Sequence, residues 1–174
     1  MARLRRANAY RRLERPYTRI SKYKKRAYIK VRPNSTIVKF DIGNLTKKFP
    51  FQVQLVSRNN VQIRHNALES ARQTSNRVLE KTIGKKAYHL KIRVFPHHIL
   101  RENPLASGAG ADRMSTGMKK SFGKPISTAA RIKKRQIIMH VGVSKANIPT
   151  AKLAMKRASQ KFPFAWNIVV EETK

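Results

Sequence analysis

The chain contains no cysteine. That excludes disulfides and thiolate metal sites, and it fits a reducing compartment. It holds only eight Asp and Glu in 174 residues, so the paired carboxylates of acid–base or metal-assisted chemistry are scarce. No apolar run approaches the ~20 residues that span a bilayer. The basic start is not followed by the apolar stretch of a secretory signal. An Arg-rich organellar presequence fits poorly too, because the basic segment continues through Arg32 and is dense in Tyr as well as Arg. The expectation is a mature cytoplasmic protein with no membrane partner.

What the chain has is positive charge. Forty Lys and Arg give a formal net charge of +32. A compact domain with that imbalance repels itself and is comfortable only against a dense polyanion, of which nucleic acid is the obvious one. Residues 1–32 carry thirteen Lys/Arg and one acid, 33–100 twelve and three, 101–135 nine and two, and 136–174 six and two. The excess is steepest at the start but present throughout, so the body as well as the tail is expected to meet phosphate.

The start reads as a binding arm over residues 1–26, ahead of a single domain over 27–174. Arg3, Arg5, Arg6, Arg11, Arg12, Arg15 and Arg19 favour the guanidinium, which binds phosphate in bidentate fashion and stacks on bases. Lys22, Lys24, Lys25 and Arg26 extend the run. Tyr10, Tyr17, Tyr23 and Tyr28 are interleaved and can stack on unpaired bases. The competing reading is a solvated tail, which leaves much like charge uncompensated.

Hydrophobic content of 40% supports a real core. Tyr28–Val31 and Thr36–Phe40 read as short strands, Phe51–Val56 as a half-buried strand, and Arg64–Ile83 as a helix with Leu68, Ala71, Ser75, Val78, Leu79 and Thr82 on one face. Gly84 is the expected stop, with Lys85 and Lys86 at the negative end of the helix dipole. Arg64, Lys85 and Lys86 at the two ends of this helix are expected to contact RNA. His89–Phe95 and Gln136–Val143 read as strands. Asn147 caps a helix to about Lys161, with Leu153, Ala154 and Arg157 at helical spacing, and Phe164–Val170 is the last strand. Two main helices on a mixed sheet make an α+β sandwich, interrupted by a Gly-rich basic loop over about 101–125.

Catalysis finds little support. Asp112 and Glu102 lack an acidic neighbour. His97 and His98 adjoin on a turn, point apart and have no third ligand nearby, so they read as structural or RNA-contact groups rather than a metal site. His65, His89 and His140 read as isolated packing or hydrogen-bonding groups. Gly117 and Gly123 enclose five residues rather than four, and Lys124 precedes Pro125 instead of a hydroxyl, so no Walker loop forms. No cofactor, metal or catalytic residue is expected. The loop itself, with Arg101, Arg113, Lys119, Lys120 and Lys124 beside Gly110 and Gly117, reads as a segment reaching into RNA.

Particular words within this chain carry a resemblance. They are Ala109-Gly-Ala-Asp-Arg-Met-Ser-Thr-Gly-Met118, Phe122-Gly-Lys-Pro125, Val61-Gln-Ile-Arg-His-Asn-Ala-Leu-Glu-Ser-Ala-Arg72 (with Arg64), Arg93-Val-Phe-Pro-His-His98 and the Ala2-to-Arg11 start. Over essentially the whole length the chain resembles the large-subunit ribosomal protein family called L-ten-e in archaea and eukaryotes, the counterpart of bacterial L-sixteen. The short end after Val169-Val170-Glu171-Glu172 looks archaeal. The resemblance implies a hammerhead-type β-hairpin on an α/β sandwich, and a place on large-subunit rRNA near the A and P tRNA sites. It also implies neighbouring ribosomal proteins as partners, no homo-oligomer, and a loop of about Glu102–Lys124 directed towards the peptidyl-transferase centre and P-site tRNA. The alternative from composition alone is a free-standing nucleic-acid chaperone or architectural binder. That reading favours one basic face and one neutral face, which the charge distribution does not give.

Overall fold

Period-two alternation becomes strands in this chain, and its clearest 3.6-residue period becomes a helix. The computed structural model describes residues 5–14, 22–103, 105, 108–115, 117 and 122–173, without the side chains of Lys24 and Met114. The strands are β1 Asp41–Gly43, β2 Phe51–Ser57, β3 Val61–Arg64, β4 His89–Ile92, β5 His98–Glu102, β6 Lys124–Ile132, β7 Ile137–Val143 and β8 Trp166–Glu172. The helices are α1 His65–Ile83, α2 Ala111–Met114 and α3 Ile148–Ser159, with 3-10 turns at Ala7–Tyr10, Lys24–Arg26 and Lys145–Asn147.

The architecture is α+β. In place of one mixed sheet there are two, of five strands in the order β1-β4-β7-β2-β8 and of three in the order β3-β6-β5. Every pairing among the described residues is antiparallel. Helices α1 and α3 pack on each other. Helix α3 lies on β2, β7 and β8, and α1 touches β3 and β6. Between them sits the core of Val53, Leu55, Leu68, Leu79, Leu90, Val141, Ala154 and Met155, each at most 1% exposed.

Helix α1 buries Leu68, Ala71, Ser75, Val78 and Leu79 as its spacing requires, but Thr82 is exposed and donates back to the Val78 carbonyl at 2.8 Å. Ser75, fully buried, is satisfied in the same way by the Ala71 carbonyl at 2.8 Å. Gly84 ends the helix at φ 80°. Asn147 occupies the cap position of α3 without a side-chain cap bond. The buried stripe of α3 is Ala151, Ala154, Met155 and Ala158; Leu153 and Arg157 face solvent.

Two expected strands are not strands. Tyr28–Val31 and Thr36–Phe40 form no strand, each giving one apolar anchor, Ile29 and Ile37, to the interior, and only the Phe40 carbonyl meets the sheet, accepting from Ile92 N–H at 2.8 Å. Ladder pairing with β4 covers Asp41–Gly43. Gly43 sits at φ 98°, where a Cβ would overlap the Tyr88 carbonyl. Tyr88 is itself buried, with its hydroxyl donating to Asn76 Oδ1 at 2.6 Å.

His140 on β7 is 8% exposed, and its Nδ1 has no hydrogen-bond partner among the described residues. Burial first, then the nearby Arg93, lowers its pKa to about 4, so the ring is neutral at physiological pH.

Two outcomes are expected. Gly43→Ala destabilises the fold by roughly 1–3 kcal/mol from backbone strain alone, with the clash in addition, read as a lower urea midpoint. Unfolding frees His140 to bind a proton near pH 6.5, whereas the folded chain binds it only near pH 4. This group's contribution to stability is therefore complete above pH 6.5 and is lost as the pH falls towards 4. Urea unfolding of His140→Gln at pH 7 and pH 5 is expected to show a smaller pH dependence than the parent chain.

Candidate nucleic-acid interface

The N-terminal residues fold back on the small sheet. In a β-strand alternate side chains share a face, so Gln62 and Arg64 of β3, with Arg131 and Ala129 of β6, form one surface. Residues 5–14 cover it. The Gln62 amide donates to the Arg11 carbonyl at 3.0 Å and its side-chain Nε2 to the Tyr10 carbonyl at 2.9 Å. Arg64 Nη1 donates to the Arg5 carbonyl at 2.8 Å, and Arg131 Nη2 to the Glu14 carbonyl at 2.7 Å. The Arg64 guanidinium also lies 5.8 Å from the Tyr10 ring centroid.

Beside this patch stands the root of the long loop. Arg5 Nε pairs with Glu102 Oε1 at 2.6 Å, joining the arm to the last residue of β5. The Arg101 guanidinium stacks 3.7 Å above the Phe122 ring while its Nη1 donates to the Phe122 carbonyl at 2.5 Å. Gly123, at φ 75°, lets the returning strand pass Glu102, where a Cβ would lie 2.6 Å from the Glu102 backbone. Glu102 then pairs with Lys124 across the ladder, after a bulge at Leu100/Arg101.

A cleft of about 310 Å³ opens between arm, β5 and loop root, lined by Tyr10, Arg12, Glu14, His98, Arg101 and Phe122 among others. Burial, then Arg131 and Arg101, lowers the His98 pKa, so the ring there is a neutral hydrogen-bonding group rather than a cation. Burial raises the Tyr10 pKa, so its phenol stays protonated. Arg11 Nε and Arg131 Nη1 are buried without a partner among the described residues.

A second cationic–aromatic group lies on the segment before β5. The Arg32 guanidinium sits 4.9 Å from the Phe95 ring and donates to the Pro96 carbonyl at 2.9 Å. Phe95 stacks on Phe40 at 5.4 Å, and His97 tilts against it at 4.6 Å. His97 is exposed and His98 half-buried, so the two rings serve different surroundings. No cluster of three His, Cys, Asp or Glu suited to a metal ion occurs among the described residues.

The structure thus brings Arg5, Arg11, Arg12, Arg64, His98 and Arg101 to one region, with Lys124 at the loop's return. It puts Lys85 and Lys86 elsewhere, lining a different cleft with Tyr88, and Lys85 is engaged by Glu80 at 3.1 Å. Arg6, Lys22, Lys25 and Arg26 are exposed, the last 5.2 Å from the Tyr23 ring. Ala109, Gly110, Asp112, Arg113 and Gly117 are exposed, with Asp112 and Arg113 on the short helix α2. Arg3, Arg15, Arg19, Lys119, Lys120 and the Lys24 side chain lie outside the described residues. Sequence reasoning did not single out Arg131, and it gave Phe122 no role of its own. Arg131 is the one charged residue inside the apolar run of β6, and that interruption was the available signal.

Comparison with known proteins places this geometry. A family model described as "Ribosomal protein L16p/L10e" matches residues 17–169. The chain is 46% identical over 171 residues to a protein of Methanococcus maripaludis, covering 98% of this chain and 96% of that one. It is 47% identical over 166 residues to one of Archaeoglobus fulgidus, with coverages of 95% and 92%. It is 46% identical over 159 residues to one of Staphylothermus marinus, with coverages of 91% and 88%. Each of these relatives is named "Large ribosomal subunit protein uL16". With both the family match and the relatives spanning most of its length, the chain belongs to the Ribosomal protein L16p/L10e family.

Proposed function

We propose that this chain binds large-subunit rRNA through its arm (1–26) and its body (27–174), and that its loop over about 101–125 reaches the tRNA held in the A and P sites near the peptidyl-transferase centre. As a member of its family the chain is a structural component of the large ribosomal subunit in the cytoplasm, and not an enzyme. Its partners on this reading are rRNA, tRNA and neighbouring ribosomal proteins, with no second copy of itself.

The observation that carries the reading is the fold-back of residues 5–14 onto the small sheet. It gathers Arg5, Arg11, Arg12, Arg64, Arg101 and Arg131 around two carboxylates, Glu14 and Glu102. Arg64, Arg101 and Arg131 are oriented by carbonyls, two of them also by rings, which direct a cation without neutralising it. The uncancelled charge is then available to phosphate, and Tyr10 and Phe122 offer faces to unpaired bases. The free-standing chaperone or architectural binder is the reading this displaces.

Three measurements test it. Deleting residues 1–26 is expected to weaken incorporation in large-subunit reconstitution; near-parental incorporation would count against the arm. Arg12→Gln with Lys124→Gln is expected to lower rRNA affinity and to reduce the slope of log affinity against log salt by roughly 0.7–0.9 for each phosphate no longer neutralised, with an unchanged slope removing these residues from the interface. Shortening Ser107–Lys120 is expected to leave the thermal midpoint within a few degrees of the parent and to depress peptide synthesis by subunits carrying it. Full synthesis rates would sink the role assigned to the loop.

A further inference from the structure

Strand β8 is built unlike the rest of this chain. Phe162–Thr173 is twelve residues without a Lys or Arg, the longest such stretch in a sequence that has forty. It ends in Glu171 and Glu172, a quarter of all the acids present. Strand β8 is also the edge of the five-stranded sheet, and among the described residues no strand lies beyond it.

The free side of that edge follows from the register. Thr173 N donates to the Pro50 carbonyl at 2.7 Å, next to the pair Phe51 and Glu172. In an antiparallel ladder bonded and non-bonded pairs alternate. Glu171, Val169 and Asn167 therefore bond to β2, and Glu172, Val170, Ile168 and Trp166 turn their N–H and C=O groups outward. Ser57, opposite Trp166, fixes the same phase, since its N–H goes to Gln136 at 3.0 Å on the other side of β2.

Edges of this length are ordinarily blunted by Lys, Pro or a bulge. Strand β8 contains neither Lys nor Pro, and it pairs with β2 without a register shift. Val169 stands 38% exposed on it. One cation reaches the strand from outside it, Arg58 Nε donating to Asn167 Oδ1 at the far end from the acids, and Glu171 Oε2 accepts from the neutral Gln54 amide at 2.6 Å. An edge with no cation of its own and ending in two carboxylates repels phosphate at that end. It complements an extended polypeptide that carries cations.

We propose that β8 is a strand-addition site for an extended, Lys/Arg-bearing segment of another protein in the same particle. That segment pairs with the outward groups of Trp166, Ile168, Val170 and Glu172 and sets its cations against Glu171 and Glu172. Backbone pairing supplies the affinity, and Val169 with the cross-strand charges supplies the selectivity. The proposal rests on the chain being a large-subunit component, because that assembly is what supplies the partner.

The test places a photo-crosslinking benzoylphenylalanine at Val169 and assembles the full-length chain into large subunits. Co-sedimentation is read first. If the labelled and parental chains both fail to co-sediment, the parent reading fails and this proposal with it. With co-sedimentation intact, irradiation is expected to give a crosslink into a Lys/Arg-bearing segment of another protein, identified by sequencing the joined peptide. Val170→Pro removes an outward N–H and no bond to β2. Glu172→Lys reverses one charge and leaves the backbone alone. Each is expected to lower the crosslink yield roughly fivefold without loss of co-sedimentation. A crosslink to rRNA, a crosslink to a segment without cations, no crosslink at all, or full yield in both variants overturns the strand-addition site and leaves the ribosomal reading standing.

Discussion

Shortage of carboxylate is the constraint from which the rest of this molecule follows. With forty cations and eight acids, most guanidinium groups cannot find a counter-charge within the chain. Arg32, Arg64, Arg101 and Arg131 instead donate to main-chain carbonyls of Pro96, Arg5, Phe122 and Glu14. Three of these four also lie over aromatic rings. A carbonyl dipole or a ring face fixes where the cation points while leaving its monopole intact. The field outside the protein is therefore both strong and directed, which is what a surface meant for packed phosphates needs.

The same shortage divides the molecule. Large apolar side chains concentrate between α1, α3 and the five-stranded sheet, where no ion pair is required. The small sheet is held from outside by the arm through backbone bonds to Gln62, Arg64 and Arg131. Ion pairs among the described residues are few and serve particular tasks. Glu69 is held ionised by Arg72 on α1, its pKa lowered chiefly by that hydrogen bond. Glu102 ties the arm to the loop root. Acids on β8 sit in a stretch that carries no Lys or Arg of its own.

Much of this was legible in the sequence, and the exceptions are physical. Helix α1 announced itself because its apolar face keeps one period for five turns, β2 because Phe51, Val53 and Leu55 alternate with glutamines, and β7 because it is a short apolar run. Strands β5 and β6 were hidden. His98 opens β5 two residues after Pro96, inside what reads as a turn, and β6 begins with Lys-Pro-Ile-Ser-Thr, whose first three residues are exposed and whose Ser127 and Thr128 are buried polar groups. Tyr28–Val31 and Thr36–Phe40 have strand composition but form no ladder, beyond the single bond from Ile92 N–H to the Phe40 carbonyl, and pairing is a tertiary fact. The arm's basic character was evident from its arginines. Its docking was not, because four of the contacts run to main-chain carbonyls, which every residue carries and no composition reveals. Nor could residue type separate Lys85 and Lys86, which lie away from the main patch, from the arginines within it.

The clasp at the loop root has a consequence for how this chain can vary. Arg101 on Phe122, Gly123 against Glu102 and the Glu102–Lys124 pair close the segment between them at its base. Once the ends of a loop are pinned, its length matters little to the fold, since doubling it adds only about 0.6 kcal/mol of closure entropy. Insertions and deletions between Asn103 and Phe122 are then nearly invisible to folding and are judged only by what the loop touches. Evolution can retune that reach without renegotiating the architecture beneath it.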